Sequence, residues 1–580
     1  MPATTLHAKE LKNIRQRIDR FFKLDPKQPI RVVVPDNLSK ENVLALIPTS
    51  TADKELWVDS LYYLMHLIIT RSQRKKFKNN RRVAGYVALK FDYLEDFIGP
   101  EASQIIKWAI ASKFIECDQK MIIDVESYGY RLSANYRKTR LRHVTLTHSK
   151  LVKHHRKVDK KLFTEQRDKL REHAYLLKWL MDSKLELNLP DAIEYTRLFK
   201  YIIGRSVAGL NLSKKEKEEI QLHVSNTVAN SIFIINSWKK KPGIKIDSKG
   251  GRLYSPLTNM MSKLRFFLTY DSEELVYFDI KNSQPYHLIL LLNPAFWQRT
   301  GKSESLTLES LNKELADHLA TINNKELAST IMTLESAFKS GLTQAKKGLQ
   351  RKGNMSPRFA KLVVDGKLYK FISDEFKGKF LDNKGFDPFL TDKSAKGQLI
   401  SMLYSNPRAS ANSANNKHFK HFKTLFPVEA KVIELLKSRK YNDFSILLQK
   451  VESTILLKEV CYKIFEHNTS IPLFTIHDGI MTTAKYADVV EKFILDTYKS
   501  IVGVEPTLSK EVMNNRNAGA NFKKYVQKKL DEILVELKRT DQIKPLNLNW
   551  EDFEYVANLN LFKTKSIGPF DYSGLLINLK

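Results

Sequence analysis

Two segments far apart in the chain each place an aspartate at the end of a buried strand. In the first segment, apolar and aromatic residues 276–278 precede Asp279, and a polar turn then leads into an apolar helix that starts near Tyr286. In the second, residues 471–483 have the pattern of strand, tight turn and strand, with Asp478 in the turn. A single aspartate in such a position is an ordinary turn former or helix cap. Two that converge from separate strands suit a pair of Mg²⁺ ions, whose coordination substrate phosphates would complete.

The charge of the chain indicates its class of partner. The net charge is +32, from 96 Lys+Arg against 64 Asp+Glu, and the excess is spread along the whole sequence. This distribution predicts a long electropositive surface or channel for a polyanion, with nucleic acid as the first candidate. A basic protein kept soluble by its charge, or one that touches an anionic membrane surface, is the alternative. At 580 residues, 42% hydrophobic, the chain is a folded protein of roughly two to four domains.

The cysteines and the apolar runs indicate the compartment. Only two cysteines occur, Cys117 and Cys461, so there is no disulfide framework and no zinc-like Cys/His spacing. This usage predicts a reducing, intracellular setting in the cytoplasm. The first residues lack the basic-then-apolar pattern of a signal peptide. No apolar run reaches the roughly eighteen residues that a membrane helix needs, so no membrane partner is expected.

The N-terminal part resembles a winged-helix domain. An arm, residues 1–44, precedes a domain over about 45–140 in which two short helices, 89–97 and 102–112, are followed by a hairpin over 121–132. Helix–turn–helix followed by a β-hairpin is similar to the winged-helix arrangement. A winged helix that contacts another protein instead of DNA is the alternative.

Four residues of this domain are candidates for DNA contact. Gln104 and Lys107 lie on the second helix, which would enter a groove of the duplex. Arg81 and Arg82 end a cluster of basic residues that would hold phosphates beside it.

A basic, mostly helical region over residues 141–243 leads to a pair of arginines. Gly251 precedes Arg252 and allows a tight turn with close approach of the backbone to a ligand. Arg252 and Arg265 could then pair with backbone phosphates as charge-assisted forks. Taken alone, the stretch is equally well a surface hairpin with incidental arginines.

A helix over residues 391–405 presents a lysine and a tyrosine on one face. Lys396, Ile400 and Tyr404 share that face at helical spacing. Lys396 could clamp a phosphate while the Tyr404 ring packs against a base or sugar. The alternative is a lysine whose stem covers a core tyrosine while its amine stays in water.

Four stretches over about 244–500 together resemble the polymerase module of family A DNA polymerases and single-subunit phage-type RNA polymerases. In chain order they are the Gly251-Arg252 turn, the Asp279 strand of motif A, the Lys396 to Tyr404 helix of motif B and the His477-Asp478 hairpin of motif C. In detail they look still more like the transposon- and virus-encoded branch related to both groups. The resemblance thus implies a polymerase of a virus or mobile element that acts inside the cell.

The fold that the resemblance implies is α+β: a right-hand polymerase with palm, fingers and thumb, an antiparallel palm sheet, and the winged-helix domain in front. The expected domains are 1–44, arm; 45–140, winged helix; 141–243, helical thumb-like region; 244–295, palm with motif A; 296–430, fingers with motif B; 431–510, palm with motif C; and 511–580, a C-terminal extension of open role.

The resemblance also implies which metal ions and which partners the protein binds. Asp279 and Asp478 would hold two Mg²⁺ ions, with the Ile280 carbonyl as a further ligand and Mn²⁺ as an alternative metal. The partners would be a DNA primer–template or template and dNTPs, or rNTPs in the alternative. A helicase or other replication partner is not identified by the sequence.

The resemblance also assigns roles around the metals. His477 would lie near the primer terminus as part of the catalytic set. Lys396 would neutralise the triphosphate and Tyr404 would pack at the sugar and nascent base pair. The residues implied to contact the nucleotide are Lys396, Tyr404, Gln284 and Lys393. The residues implied to contact nucleic acid are Arg252, Arg265 and Gln449.

Departures from the family pattern leave the sugar open. Asp392 stands where family A DNA polymerases carry an arginine, and no set of acidic motifs for a proofreading exonuclease is evident. Gly479 and Ile400 favour an RNA polymerase or primase on the same scaffold. Gln284, bulky enough to exclude a ribose 2′-hydroxyl, favours a DNA polymerase. A DNA-binding initiator that kept the fold without turnover is an alternative of another class.

Overall fold

A computed structural model of the protein describes residues 3–21, 30–72, 86–119, 127–137, 139, 141–236, 244–297, 306–321, 356–381, 387–406, 413–537 and 539–545. The predicted phosphate contacts Arg81 and Arg82, the first predicted hairpin strand (121–125) and most of the C-terminal extension lie outside the described residues. Among the described helices, none combines the length and the apolar character that crossing a membrane requires.

The protein mixes helices with antiparallel sheets. The α-helices are Ala3–Phe21 (α1), Lys40–Leu46 (α2), Lys54–Ser72 (α3), Phe91–Ile98 (α4), Ala102–Ala111 (α5), Ala134–Arg137 (α6), Ser149–Glu172 (α7), Ala174–Leu180 (α8), Leu189–Ala208 (α9), Lys214–Asn236 (α10), Pro256–Asn259 (α11), Ser283–Leu291 (α12), Leu308–Leu311 (α13), Lys313–Thr321 (α14), Ser356–Val364 (α15), Leu368–Phe376 (α16), Asp392–Tyr404 (α17), Ala414–Leu425 (α18), Pro427–Leu436 (α19), Asp443–Ser453 (α20), Tyr462–His467 (α21), Ala487–Val502 (α22), Asn515–Ala520 (α23) and Phe522–Glu536 (α24). A π-helix over Thr454–Cys461 joins α20 to α21.

The strands form separate antiparallel sheets. They are Arg31–Pro35 (β1), Val87–Lys90 (β2), Ile115–Cys117 (β3), Ser127–Leu132 (β4), Leu141–Thr145 (β5), Leu185–Leu187 (β6), Lys245–Ile246 (β7), Leu253–Tyr254 (β8), Leu268–Tyr270 (β9), Glu273–Ile280 (β10), Phe474–Ile476 (β11), Gly479–Thr483 (β12) and Leu508–Met513 (β13).

The largest sheet is built around β10. Residues Leu275–Asp279 pair with β12 on one side, and Leu275–Ile280 pair with β13 on the other. β9 pairs with the beginning of β10, β6 with β9, and β11 with β12. Because β10 is paired on both sides, its backbone hydrogen bonds are satisfied and its last residues are held in place. The predicted antiparallel sheet around the Asp279 strand is therefore present.

Buried hydrophobic side chains form two clusters. The smaller contains residues between Val32 and Leu151, and the larger contains Ile14, Ile18 and residues from Leu170 to Leu534. Helix α7 passes from one cluster to the other. The large sheet and the helices that follow it share one core, which fixes their relative positions.

The smaller cluster holds a three-stranded sheet with strand order β2–β4–β3. Helix α3 precedes β2, and α4 and α5 connect β2 to β3. The predicted helix over 89–97 begins instead at Phe91, because 87–90 form the strand β2 that pairs with β4. Trp57 of α3 packs against Trp108 of α5 with ring centroids 5.3 Å apart, which locks α5 to the domain core.

Candidate active site

The register of the large sheet brings the two aspartates together. Asp279 of β10 lies directly opposite Gly479 of β12. Directly opposed residues of an antiparallel pair have Cα atoms about 4.5–5.5 Å apart. Asp478 immediately precedes Gly479, so both carboxylates emerge at the same end of adjacent strands. The pairing of β10 with β12 therefore brings Asp279 and Asp478 close together, as the sequence predicted.

The hairpin that carries Asp478 has a two-residue turn. Ile476 pairs with Gly479, so His477 and Asp478 alone connect β11 to β12. His477 has a φ of 53°, in the left-handed region where histidine is enriched among non-glycine residues. Its ring lies edge-on to that of Tyr254, with centroids 5.6 Å apart. The hairpin tip is thereby packed against β8, directly after the Arg252 turn.

Gly479 is required by packing. A Cβ at this position would lie 2.5 Å from the carbonyl oxygen of Phe278 and 2.5 Å from the Cε2 atom of Tyr277. A side chain there would push against the neighbouring strand and the tyrosine ring at once. The glycine at position 479 is therefore explained by packing alone.

The Asp279 carboxyl group lies in a charged, largely dehydrated setting. Tyr277 donates a hydrogen bond from its hydroxyl to Oδ1 of Asp279 over 3.2 Å. Burial, and then the charge of Asp478, raise the pKa of Asp279 to about 7, while Tyr277, Lys396 and Arg265 oppose that rise. A buried carboxyl group whose ionisation is opposed by a second carboxylate is suited to a nearby positive charge.

Lys396 lies close enough to Asp279 for its charge to lower the pKa of that carboxyl group. Its side chain is exposed on α17, and its amine lies 5.5 Å from the centre of the Tyr369 ring. Burial, and then the charge of Asp478, raise the pKa of Tyr369. Tyr369, on α16, therefore lies near both Lys396 and the charge of Asp478. Sequence reasoning did not single it out, because no local pattern marks it.

A buried carboxylate, Glu452, connects three of the predicted site residues. Arg252 donates to it from Nε over 2.7 Å and from Nη2 over 2.9 Å, as a bidentate ion pair. The side-chain nitrogen of Gln284 donates to its Oε2 over 2.5 Å. The Tyr404 hydroxyl donates in turn to Oε1 of Gln284. Helix α12, helix α17 and the Arg252 turn thus meet in one hydrogen-bonded network.

Glu452 is 1% exposed. Burial raises its pKa to about 7, against the opposing charge of Arg252, and Asp478 adds to the rise. The sequence offered one signal for it, a carboxylate four residues after Leu448 on a helix face that is otherwise apolar. That signal does not name its partners, which come from elements far away in the chain.

The glycine pair before Arg252 approaches a helix. A Cβ on Gly250 would lie 2.6 Å from Oε1 of Gln449, and one on Gly251, whose φ is 70°, would lie 2.9 Å from the hydroxyl oxygen of Ser453. Ser453 donates to the Gly250 carbonyl over 2.7 Å. The sequence predicted that the backbone at Gly251 approaches a ligand closely. In the structure it approaches helix α20 instead, and this packing brings Arg252 next to Glu452.

The other predicted residues are distributed around this centre. Arg265 donates from Nε to the Leu257 carbonyl over 3.0 Å, and burial lowers its pKa. Ile280 ends β10 opposite Leu508. Gln104 and Lys107 are exposed on α5, in the smaller cluster's domain. The backbone of Lys393 lies in the first turn of α17. Their contacts with nucleotide or nucleic acid stay predictions.

The donor set suits an ion that also binds substrate. Within the described residues, no group of three or more His, Cys, Asp and Glu side chains is arranged to hold a metal. Two carboxylates and a nearby backbone carbonyl leave most positions of an octahedral Mg²⁺ to water and phosphate oxygens. The charge of Asp478, which opposes the ionisation of Asp279, also suits a bound divalent cation.

Comparisons with known proteins identify no family for this chain. No family model matches the chain, and no curated protein matches it. Among solved structures, the chain is similar to one described as "POL domain of Pol1 from M. smegmatis complex with DNA primer-template and dNTP". The sequences are 11% identical, the TM-score is 0.27, and the match covers 62% of this chain and 72% of that one. Similarity at this level does not define a family, so the function rests on the site itself.

Proposed function

We propose that this protein is a template-directed nucleotidyltransferase, namely a DNA-dependent DNA polymerase of a virus or mobile element. The observation that carries the proposal is the position of Asp279 and Asp478 at the same end of adjacent strands, where burial and mutual repulsion raise the pKa of Asp279 to about 7. The resemblance of the four motifs gives the class of reaction.

Asp279, Asp478 and the Ile280 carbonyl would hold two Mg²⁺ ions. Bound there, the ions would supply a lowered pKa for the primer 3′-hydroxyl and charge stabilisation for the leaving pyrophosphate. In the reaction the 3′-oxygen would form a bond to the α-phosphorus of the nucleotide, the bond from that phosphorus to pyrophosphate would break, and the hydroxyl proton would pass to water. Lys396 is exposed on α17 and its charge acts on Asp279, which supports a role in which its amine would meet the triphosphate.

The side chain of Gln284 supports the choice of deoxynucleotides. It is half-buried and held at both ends, by Glu452 and by Tyr404. A bulky side chain fixed in this way suits a wall that excludes a ribose 2′-hydroxyl. Packing explains the glycine at position 479 without reference to the nucleotide. Of the two residues that favoured an RNA polymerase or primase, only Ile400 therefore still does so.

The domain roles follow from the same proposal. The sheet around β10 would be the palm, α15 to α17 would belong to the fingers, and the helices α7 to α10 would form the thumb. The three-stranded sheet with α3, α4 and α5 would be the winged-helix domain. The exposed side chains of Gln104 and Lys107 on α5 would contact DNA.

Primed and unprimed DNA templates, each offered dNTPs or rNTPs with Mg²⁺, test the proposal. We expect extension of the primed template with dNTPs. Products from rNTPs alone would favour the RNA polymerase or primase. Tight DNA binding with no product under any condition would favour the non-catalytic initiator and contradict the proposal.

A further inference from the structure

The side-chain amide of Gln284 has one orientation because its two neighbours differ in hydrogen-bonding capacity. A carboxylate can only accept, so the nitrogen of Gln284 faces Glu452, at 2.5 Å. The oxygen then faces Tyr404, whose hydroxyl donates to it. With the amide reversed, the oxygen of Gln284 would oppose the carboxylate and the tyrosine proton would lose its acceptor. The direction of the whole chain of bonds is therefore set by Glu452.

Glu452 is itself fixed. Its carboxylate is 1% exposed and accepts both hydrogen bonds of the Arg252 fork, with a weaker contact from the Ser283 hydroxyl at 3.4 Å. Charge-assisted bonds in a dehydrated setting are the strong ones. The charge of Arg252 and its two hydrogen bonds oppose protonation of Glu452, and the ion-paired carboxylate is the form that accepts from Gln284.

We propose that Glu452 is the positioning residue for nucleotide sugar selection: it locks Gln284 in the orientation that bonds Tyr404 and closes the space beside the sugar. The inference rests on the proposed polymerase function and deepens it. Glu452 acts through Gln284 and does not itself touch the nucleotide. A structural ion pair with Arg252 would stabilise the fold equally well without affecting which sugar is accepted.

The test is the ratio of kcat/KM for single addition of dATP to that for ATP, on a primed template that calls for adenine. In Glu452→Gln the amide can donate as well as accept, so Gln284 is no longer held in one orientation. We expect the ratio to fall about tenfold to a hundredfold, through a rise for ATP relative to dATP. A ratio equal to that of the wild type overturns the inference.

Two variants separate selection from folding. Glu452→Asp keeps a negative charge beside Arg252 but withdraws the carboxylate from Gln284 by one methylene, so the ratio should fall although the charge is kept. Glu429→Gln removes another buried carboxylate, 0% exposed on α19, and should leave the ratio within about twofold of the wild type. An unchanged ratio in a folded Glu452→Asp, or an equal fall in Glu429→Gln, contradicts the proposal.

The double variant Gln284→Glu with Glu452→Gln exchanges the amide and the carboxylate between the two positions. The carboxylate then stands at 284, where it accepts from both Tyr404 and the new amide, so selection should recover relative to Glu452→Gln alone. A double variant no more selective than Glu452→Gln would show that the carboxylate acts only through the fold, which overturns the inference.

The failure of the polymerase function is distinguishable from the failure of this inference. Wild-type protein that adds neither nucleotide overturns the proposed function. In that case the same variants are compared by equilibrium binding of dATP and ATP to a complex with dideoxy-terminated primer–template and Ca²⁺, measured by calorimetry. A preference for dATP that Glu452→Gln loses supports the role of Glu452, and one that it keeps, or no preference in the wild type, overturns it.

Discussion

At the scale of single residues, the charge of the site is concentrated in a few buried acids. Asp279 and Glu452 both have pKa values raised to about 7 by burial, and the charge of Asp478 adds to both. Folding therefore places the charge of Asp478 where it makes the ionisation of both Asp279 and Glu452 harder. Binding a cation recovers that energy, and this is why the site is suited to divalent ions.

A prediction on pH follows from the Asp279 carboxyl group. Its pKa is raised from 3.8 to about 7, so the folded protein binds this proton more tightly than the unfolded chain. The contribution to stability is complete below about pH 4 and is lost as the pH rises through about 7. In metal-free buffer, Asp279→Asn should remove that loss, which is on the order of a few kcal/mol.

Thermal unfolding in EDTA at a series of pH values measures the effect. Between pH 5 and 8 the melting temperature should fall less in Asp279→Asn than in the wild type. The exposed Asp488 supplies the control, since Asp488→Asn should follow the wild type. Parallel curves for Asp279→Asn and the wild type would contradict the electrostatics described for the site.

At the scale of elements, the hairpin β11–β12 and helix α20 position the chemistry. The sequence predicted the hairpin, because strand pattern and turn are local properties. It placed His477, Asp478 and Gly479 in the turn, whereas Gly479 is the first residue of β12 and pairs with Ile476. It could not predict the partners of Glu452, because Arg252 and Gln284 reach α20 only through the tertiary packing of Gly250 and Gly251 on that helix. The Arg252 pairing is thus a property of packing, which a linear pattern does not encode.

The hairpin carries a prediction of its own. Gly479→Ala places a methyl group against the Phe278 carbonyl and the Tyr277 ring, and should destabilise the protein by about 1–3 kcal/mol or more. The displaced Tyr277 would also weaken its hydrogen bond to Asp279.

Gly204→Ala is the matched control: Gly204 lies in α9 with nothing within 4 Å of an added Cβ. Alanine there should be neutral or stabilising by about 1 kcal/mol. Equal melting temperatures for the two variants would contradict the described packing.

At the scale of the whole molecule, two features matter: the division of the core into two hydrophobic clusters, and the net charge of +32. Composition predicted more than one domain and a polyanion as partner. It did not predict that α1, expected as part of an N-terminal arm, contributes Ile14 and Ile18 to the larger core. Which distant core an amphipathic helix joins depends on complementary surfaces that only the folded chain presents.

The charge gives a prediction on DNA binding. Affinity for duplex DNA should fall steeply with salt, because contacts to many phosphates release counterions. Lys107→Ala, on the exposed face of α5, should weaken binding for all sequences and reduce the slope of log K against log salt by about 1. Lys499→Ala, on α22, should leave the slope unchanged. Fluorescence anisotropy over a salt series measures both, and an unaltered slope in Lys107→Ala would remove α5 from the DNA-contacting surface.

The most direct test of the central claim is Mg²⁺-dependent extension of a primed DNA template by wild-type protein, Asp279→Asn and Asp478→Asn, with DNA affinity measured in parallel. If the two carboxylates hold the catalytic ions, the wild type extends the primer, both variants lose extension, and all three bind the primer–template with affinities within about threefold of one another. Extension that persists in either variant, with the same dependence on Mg²⁺ as in the wild type, would contradict the account.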